Sequence, residues 1–168
     1  MPGIFITRGM SVSIPNFSLK IREDGKLESP PLVMHVRFDV SPTWIQLAWQ
    51  HLEAARVARL EREKAWAGTD EKAKALTLEA EFEPAMQAIV AVAIAWDAIY
   101  AVLLHFAQIQ PDLLEKWRTG RTARYSQVTE VIRRVFLLKP KGAAALRNNL
   151  KEIFRYRDLV FCPANNWH

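Results

Sequence analysis

The stretch AMQAIVAVAIAWDAIYAVLLHFA, residues 85–107, decides the fold. Its only clearly polar side chains are Gln87, Asp97 and His105. The run is long enough for a bilayer. Asp97 near its middle would cost several kcal/mol in lipid, about 3 on insertion scales, and the many alanines contribute little to insertion. A helix that is apolar all round belongs at the centre of a bundle, buried by its neighbours. A central helix with no membrane association is therefore expected.

Helical patterning extends on both sides. Ser41 is a good N-cap and Pro42 suits the first helical position, so a helix is expected over 41–66, stopped at Gly68. Asp70 can cap a second helix running to Phe82, where Pro84 must kink it or start a new one, since it has no N–H to donate. Beyond Pro111 come a short helix (112–118), a break at Thr119-Gly120, and a helix over 123–138. Pro140 and Gly142 separate that from a last helix reaching about Val160 and stopped by Pro163.

The first forty residues alternate with period two. Phe17, Leu19 and Ile21 face one way and Ser18, Lys20 and Arg22 the other, as in a half-buried strand. Met34, Val36, Phe38 and Val40 repeat the pattern. Asp24-Gly25 supplies a turn, and Pro30-Pro31 a loop or an edge. Residues 4–7 and 12–14 are candidates for further short strands. The expected fold is mainly α: a four- or five-helix bundle over 41–168 with a small N-terminal antiparallel β-sheet over 1–40, together one compact domain without internal repeats.

The composition is that of an ordinary globular chain: 168 residues, half of them hydrophobic and 24% charged. Low-complexity and disordered classes are excluded. The single cysteine, Cys162, excludes a disulfide framework and a cysteine zinc cluster. With no secretory pattern at the N-terminus, a reducing cytoplasm is the simplest compartment, and the Asn16-Phe17-Ser18 acceptor match is then without consequence. The net charge of +5 is unevenly placed: residues 1–110 carry −2 and residues 111–168 carry +7. A basic end of this kind attracts phosphate backbones through counterion release, or is simply a solvated Arg-rich helix face.

No glycine-rich phosphate loop, His-Glu-x-x-His pair or Gly-x-Ser-x-Gly elbow occurs. The four histidines, His35, His51, His105 and His168, are far apart and lack ligand spacing. No metal or cofactor is implied.

The last helix carries the most informative departure. Its apolar stripe runs Leu146, Leu150, Ile153 and Val160, and helical phase places Arg157 on that same side. Arg147, Lys151 and Arg155 form a separate basic stripe. An inward guanidinium is tolerated only when paired and hydrogen-bonded, and Asp97 is the natural partner.

The run Ile153-Phe154-Arg155-Tyr156-Arg157-Asp158-Leu159-Val160-Phe161-Cys162-Pro163 resembles the last-helix motif of the HEPN superfamily. That motif is Arg, four to six residues, then His, with Asp or Asn often following the Arg and Pro sometimes following the His. Arg157, Asp158 and Pro163 match; the His position holds Cys162. Ala95-Trp96-Asp97-Ala98-Ile99-Tyr100 is similar to a small-residue and acid pattern of some HEPN-like proteins. The resemblance spans 41–163 and leaves the N-terminal sheet outside.

The resemblance implies a small helical bundle, often a homodimer, of a kind frequent in toxin–antitoxin and phage-defence systems. It further implies metal-independent RNA cleavage through the 2′-hydroxyl, with Arg and His drawn from two protomers. An imidazole exchanges protons near neutrality; a thiol with an ordinary pKa near 8.5 is a poor substitute. The site made of Arg157, Asp158, Cys162 and Asp97 is therefore expected to be weakened or inactive as a ribonuclease. His168, folding back or reaching across a dimer, or a Cys162 thiol of depressed pKa, are the two ways activity could persist. Expected RNA contacts are Arg118, Arg121, Arg124, Arg133, Arg134, Arg147, Lys151 and Arg155. The alternative function is a non-catalytic dimerising or adaptor module that binds a protein partner.

Overall fold

The computed structural model describes residues 9–15 and 17–161. The strand expected over residues 4–7, the Asn16 acceptor, and Cys162, Pro163 and His168 lie outside them. The chain divides into two compact units between Val40 and Ser41.

Among the described residues, the N-terminal unit holds two antiparallel ladders. Strand β1 (Met10–Ser13) pairs with β4 (His35–Phe38), Met10 opposite Phe38 and Ser13 opposite His35; β2 (Lys20–Ile21) pairs with β3 (Leu27–Glu28). Gly25 turns the second hairpin with φ +75°, and Arg22 closes it through its N–H to the Lys26 carbonyl at 2.9 Å. Gly9 has φ +81° and packs so closely on the Asp39 carbonyl that a Cβ would lie 1.9 Å from its oxygen, so no other residue fits beside β1. The half-buried strand expected around Phe17, Leu19 and Ile21 is corrected. Only Lys20 and Ile21 are in a strand, and the three apolar side chains are exposed. A two-stranded ladder has too little surface to bury a face.

Among the described residues, the C-terminal unit is a bundle of five helices. Helices α1 (Ser41–Trp66) and α2 (Glu71–Leu104) form an antiparallel hairpin across a four-residue link. Asp70 caps α2, accepting from the Lys72 and Ala73 amides at 2.9 and 3.1 Å. Arg62 and Glu81 form an ion pair across the hairpin. Of the two outcomes expected at Pro84, a kink or a new helix, no new helix begins there: α2 is one helix of 34 residues with Pro84 inside it. Pro84 cannot donate to the Ala80 carbonyl, a loss of about 3 kcal/mol in an isolated helix. Ala80 is exposed, so water can satisfy that acceptor, and packing on α1 offsets the remainder.

Among the described helices, α2 alone is long and apolar enough to cross a membrane by length and composition. It is also the helix on which α1, α4 and α5 converge, and no residue from 84 to 100 is exposed. Buried Ala88, Ala91, Ala93 and Ala95 keep its surface smooth enough for close neighbours.

Helices α3 (Pro111–Thr119), α4 (Arg124–Val135) and α5 (Pro140–Phe161) complete the unit. Helix α4 stops before the expected Leu138. Leu137 turns left-handed at φ 51°, and the Leu138 N–H reaches back to the Arg133 carbonyl at 3.0 Å, the closure usually built on glycine. Pro140 begins α5 and does not precede it, so Gly142 lies inside the helix. The core centres on Leu150, Val128 and Val131, with Tyr100, Ile132 and Phe154 around them. Among the described side chains of α5 the buried positions are Ala143, Leu150 and Phe154, while Ile153 is half-buried.

Candidate functional site

Asp97 and Tyr100 lie one turn apart on α2 and so share a face. Onto that face come the first residue of α4 and the last turns of α5. Arg124 donates from Nε to Asp97 Oδ1 at 2.7 Å and from Nη1 to Gln127 Oε1 at 3.2 Å, its guanidinium lying 4.1 Å over the Tyr100 ring. Arg157 donates from Nη1 to Asp97 Oδ2 at 3.4 Å, and from Nε and Nη2 to Asp158 Oδ1 at 3.0 and 2.7 Å. It also lies 4.7 Å over Phe154. One carboxylate thus bridges two guanidinium groups from two helices. Asp97 keeps 34% of its side-chain exposure and Arg157 25%, so the cluster sits at the edge of the core.

Beside this bridge opens a cavity of about 700 Å³. The start of α4 contributes Ala123, Arg124 and Tyr125; α5 contributes Lys151, Phe154, Arg155, Arg157, Asp158 and Leu159. The floor is apolar and the rim cationic. Arg155 pairs with Glu152 at 3.1 Å, whereas Lys151 has no carboxylate partner among the described residues. Among the described residues, four cations therefore face three carboxylates, Asp97, Glu152 and Asp158, leaving a local charge of +1. Arginine is a permanent cation whose planar fork matches phosphate oxygens.

The residues expected to contact RNA fall into separate groups. Arg124, Lys151 and Arg155 line the cavity. Arg147, one turn before Lys151, lies 5.7 Å over Tyr125. Arg118 pairs with Glu115 on α3, and Arg121 occupies a left-handed position just after it. Arg133 and Arg134 sit about 14 Å further along α4 from Arg124, both bonded to Glu130 at 2.7 Å. The Arg133 hydrogen bond, helped by Arg134 and opposed by burial, lowers the Glu130 carboxyl to about 2.

Of the residues expected in the catalytic site, Asp97, Arg157 and Asp158 are brought together; Cys162 and His168 lie outside the described residues. The described side chains around the cavity include no imidazole, and no cluster of metal-ligating side chains occurs among the described residues. Arg124 as the closer partner of Asp97 was missed from sequence. Its signal was the Asp97–Tyr100 spacing, which sets a carboxylate and a ring face where a single guanidinium can meet both. Comparison with protein-family models, curated proteins and solved structures gives no match.

Proposed function

We propose that this chain is a HEPN-like helical-bundle protein that binds RNA, of the toxin–antitoxin or defence type, and that it is weakened or inactive as a ribonuclease. The observation that carries the reading is the cationic cavity: Arg124, Lys151, Arg155 and Arg157 converge from two helices on one concavity with an aromatic and aliphatic floor. Such a surface suits a phosphate backbone, and arginine can stabilise charge on phosphoryl oxygens. Proton transfer is the missing half of the chemistry. The motif's histidine position, which would supply it, carries Cys162.

The test is binding and cleavage of single-stranded RNA in EDTA by the wild type, Arg157→Ala and Cys162→His. Binding without cleavage by the wild type, with cleavage gained in Cys162→His, supports the reading. Cleavage by the wild type that is lost in Arg157→Ala overturns the inactive assignment and promotes His168 as the acid–base. Failure of all three folded proteins to bind RNA overturns RNA association.

A second reading, a homodimerising or adaptor module, is favoured by an apolar groove between α1 and α2. Ile45, Trp49 and Leu52 face Ile89 and Val92 around about 320 Å³, and Trp49 is 62% exposed. Contiguous apolar surface of this kind marks interaction sites. Sedimentation equilibrium of the wild type beside Trp49→Lys tests it: a dimer lost in the variant supports the reading, and a monomer in both removes the homodimer.

A further inference from the structure

Arg147, Lys151 and Arg155 follow one another at four-residue intervals on α5, and all three are exposed. Helical rise separates their origins by about 6 Å per step, close to the separation of successive phosphates along one nucleic-acid strand. Aromatic rings interleave with this stripe. The Arg147 guanidinium lies 5.7 Å over Tyr125, and that of Arg155 lies 5.6 Å over the exposed ring of Tyr156. Lys151, in the middle, is the member of the stripe bordering the cavity that carries no carboxylate partner among the described residues.

A basic track with aromatic side chains beside it is the pattern that binds single strands, because every base has a face to stack. The cavity favours the same ligand. A paired, stacked duplex offers no base to a concavity, whereas an unstacked strand can turn one in. Resting on the RNA-binding reading, we infer that α5 and the start of α4 form a three-phosphate track for single-stranded RNA. Phosphates run along Arg147, Lys151 and Arg155, and one base is held against Tyr125 inside the cavity.

The experiment is fluorescence anisotropy with labelled oligouridylates of increasing length, from the mononucleotide upward, at several salt concentrations. Affinity should climb until three phosphates are present and then level off. The slope of log affinity against log salt should be about −2, the value for three contacts to a single strand. Lys151→Gln, at an exposed position, should make the slope shallower by about 0.7. Tyr125→Leu, which keeps apolar packing, should weaken binding about fivefold or more and leave the slope unchanged. Affinity that keeps rising far beyond three phosphates, a preference for duplex, or equal competition by oligo-aspartate overturns the track. Oligonucleotide binding indifferent to both substitutions also overturns the track and leaves RNA binding standing. No binding at any length overturns the RNA reading itself.

Discussion

Asp97 on α2 and Arg157 on α5, sixty positions apart in the chain, meet side chain to side chain, with Oδ2 and Nη1 3.4 Å apart. The same carboxylate takes a shorter bond from Arg124 through its other oxygen, at 2.7 Å. Asp97 therefore ties three helices together behind two arginines that line the cavity, and each arginine carries a different share of the coupling.

Double-mutant cycles should resolve those shares. Asp97→Ala is expected to cost about 1–2 kcal/mol, below the cost for a fully buried pair because the carboxyl remains a third exposed. The coupling energy of Asp97 with Arg124 should exceed that with Arg157, following bond length and the second bond Arg157 makes to Asp158. Urea unfolding of the single and double alanine variants measures both, and equal couplings would contradict the geometry.

Glu130 supplies a pH dependence with a definite sign. Its carboxyl titrates at about 2 in the folded chain against an ordinary 4.5, because Arg133 and Arg134 hydrogen-bond the charged form. A lowered folded pKa gives stabilisation that is complete above 4.5, declines as pH falls from there, and is gone below about 2. Glu130→Gln should unfold at lower urea than the wild type at neutral pH, and the gap should close across that acid window. A gap that stays constant down to the lower limit would contradict the assignment.

Leu137 closes α4 from the left-handed region, at φ 51°, with its side chain 86% exposed. A branched side chain is strained there and loses no packing when removed. Leu137→Gly should therefore stabilise the bundle by about 0.5–1 kcal/mol, less the entropy glycine adds to the unfolded chain. Thermal unfolding checks this, and a lower melting temperature would refute it.

How far the chain could be read before folding follows from which interactions are local. The 3.6-residue period put Arg157 on the covered side of α5, and Asp97 was the acid available on the central apolar run. The same reasoning placed Ile153 where the structure buries Phe154, since neighbouring positions differ by only about 100° on a helix. Arg124 was legible as a cation but not as the partner of Asp97, because the approach of α4 to α2 is set by packing far apart in sequence. Whether Pro84 would start a new helix was not legible, because its cost is local, whereas the α1 packing that keeps α2 continuous is not. The alternation of Phe17, Leu19 and Ile21 was real but fixed no burial, because a two-stranded ladder has too little surface of its own to bury a face.

The most direct measurement is the affinity for a labelled single-stranded RNA of two paired variants, compared with the wild type at low and physiological salt. One carries Lys151→Gln with Arg155→Gln, at the cavity rim; the other carries Arg133→Gln with Arg134→Gln, at the far end of α4. If the cavity is the RNA site, the rim pair loses affinity and its salt dependence becomes shallower by about 1.4, while the distal pair matches the wild type. Equal losses in the two variants, or a wild type with no affinity for RNA, would contradict it.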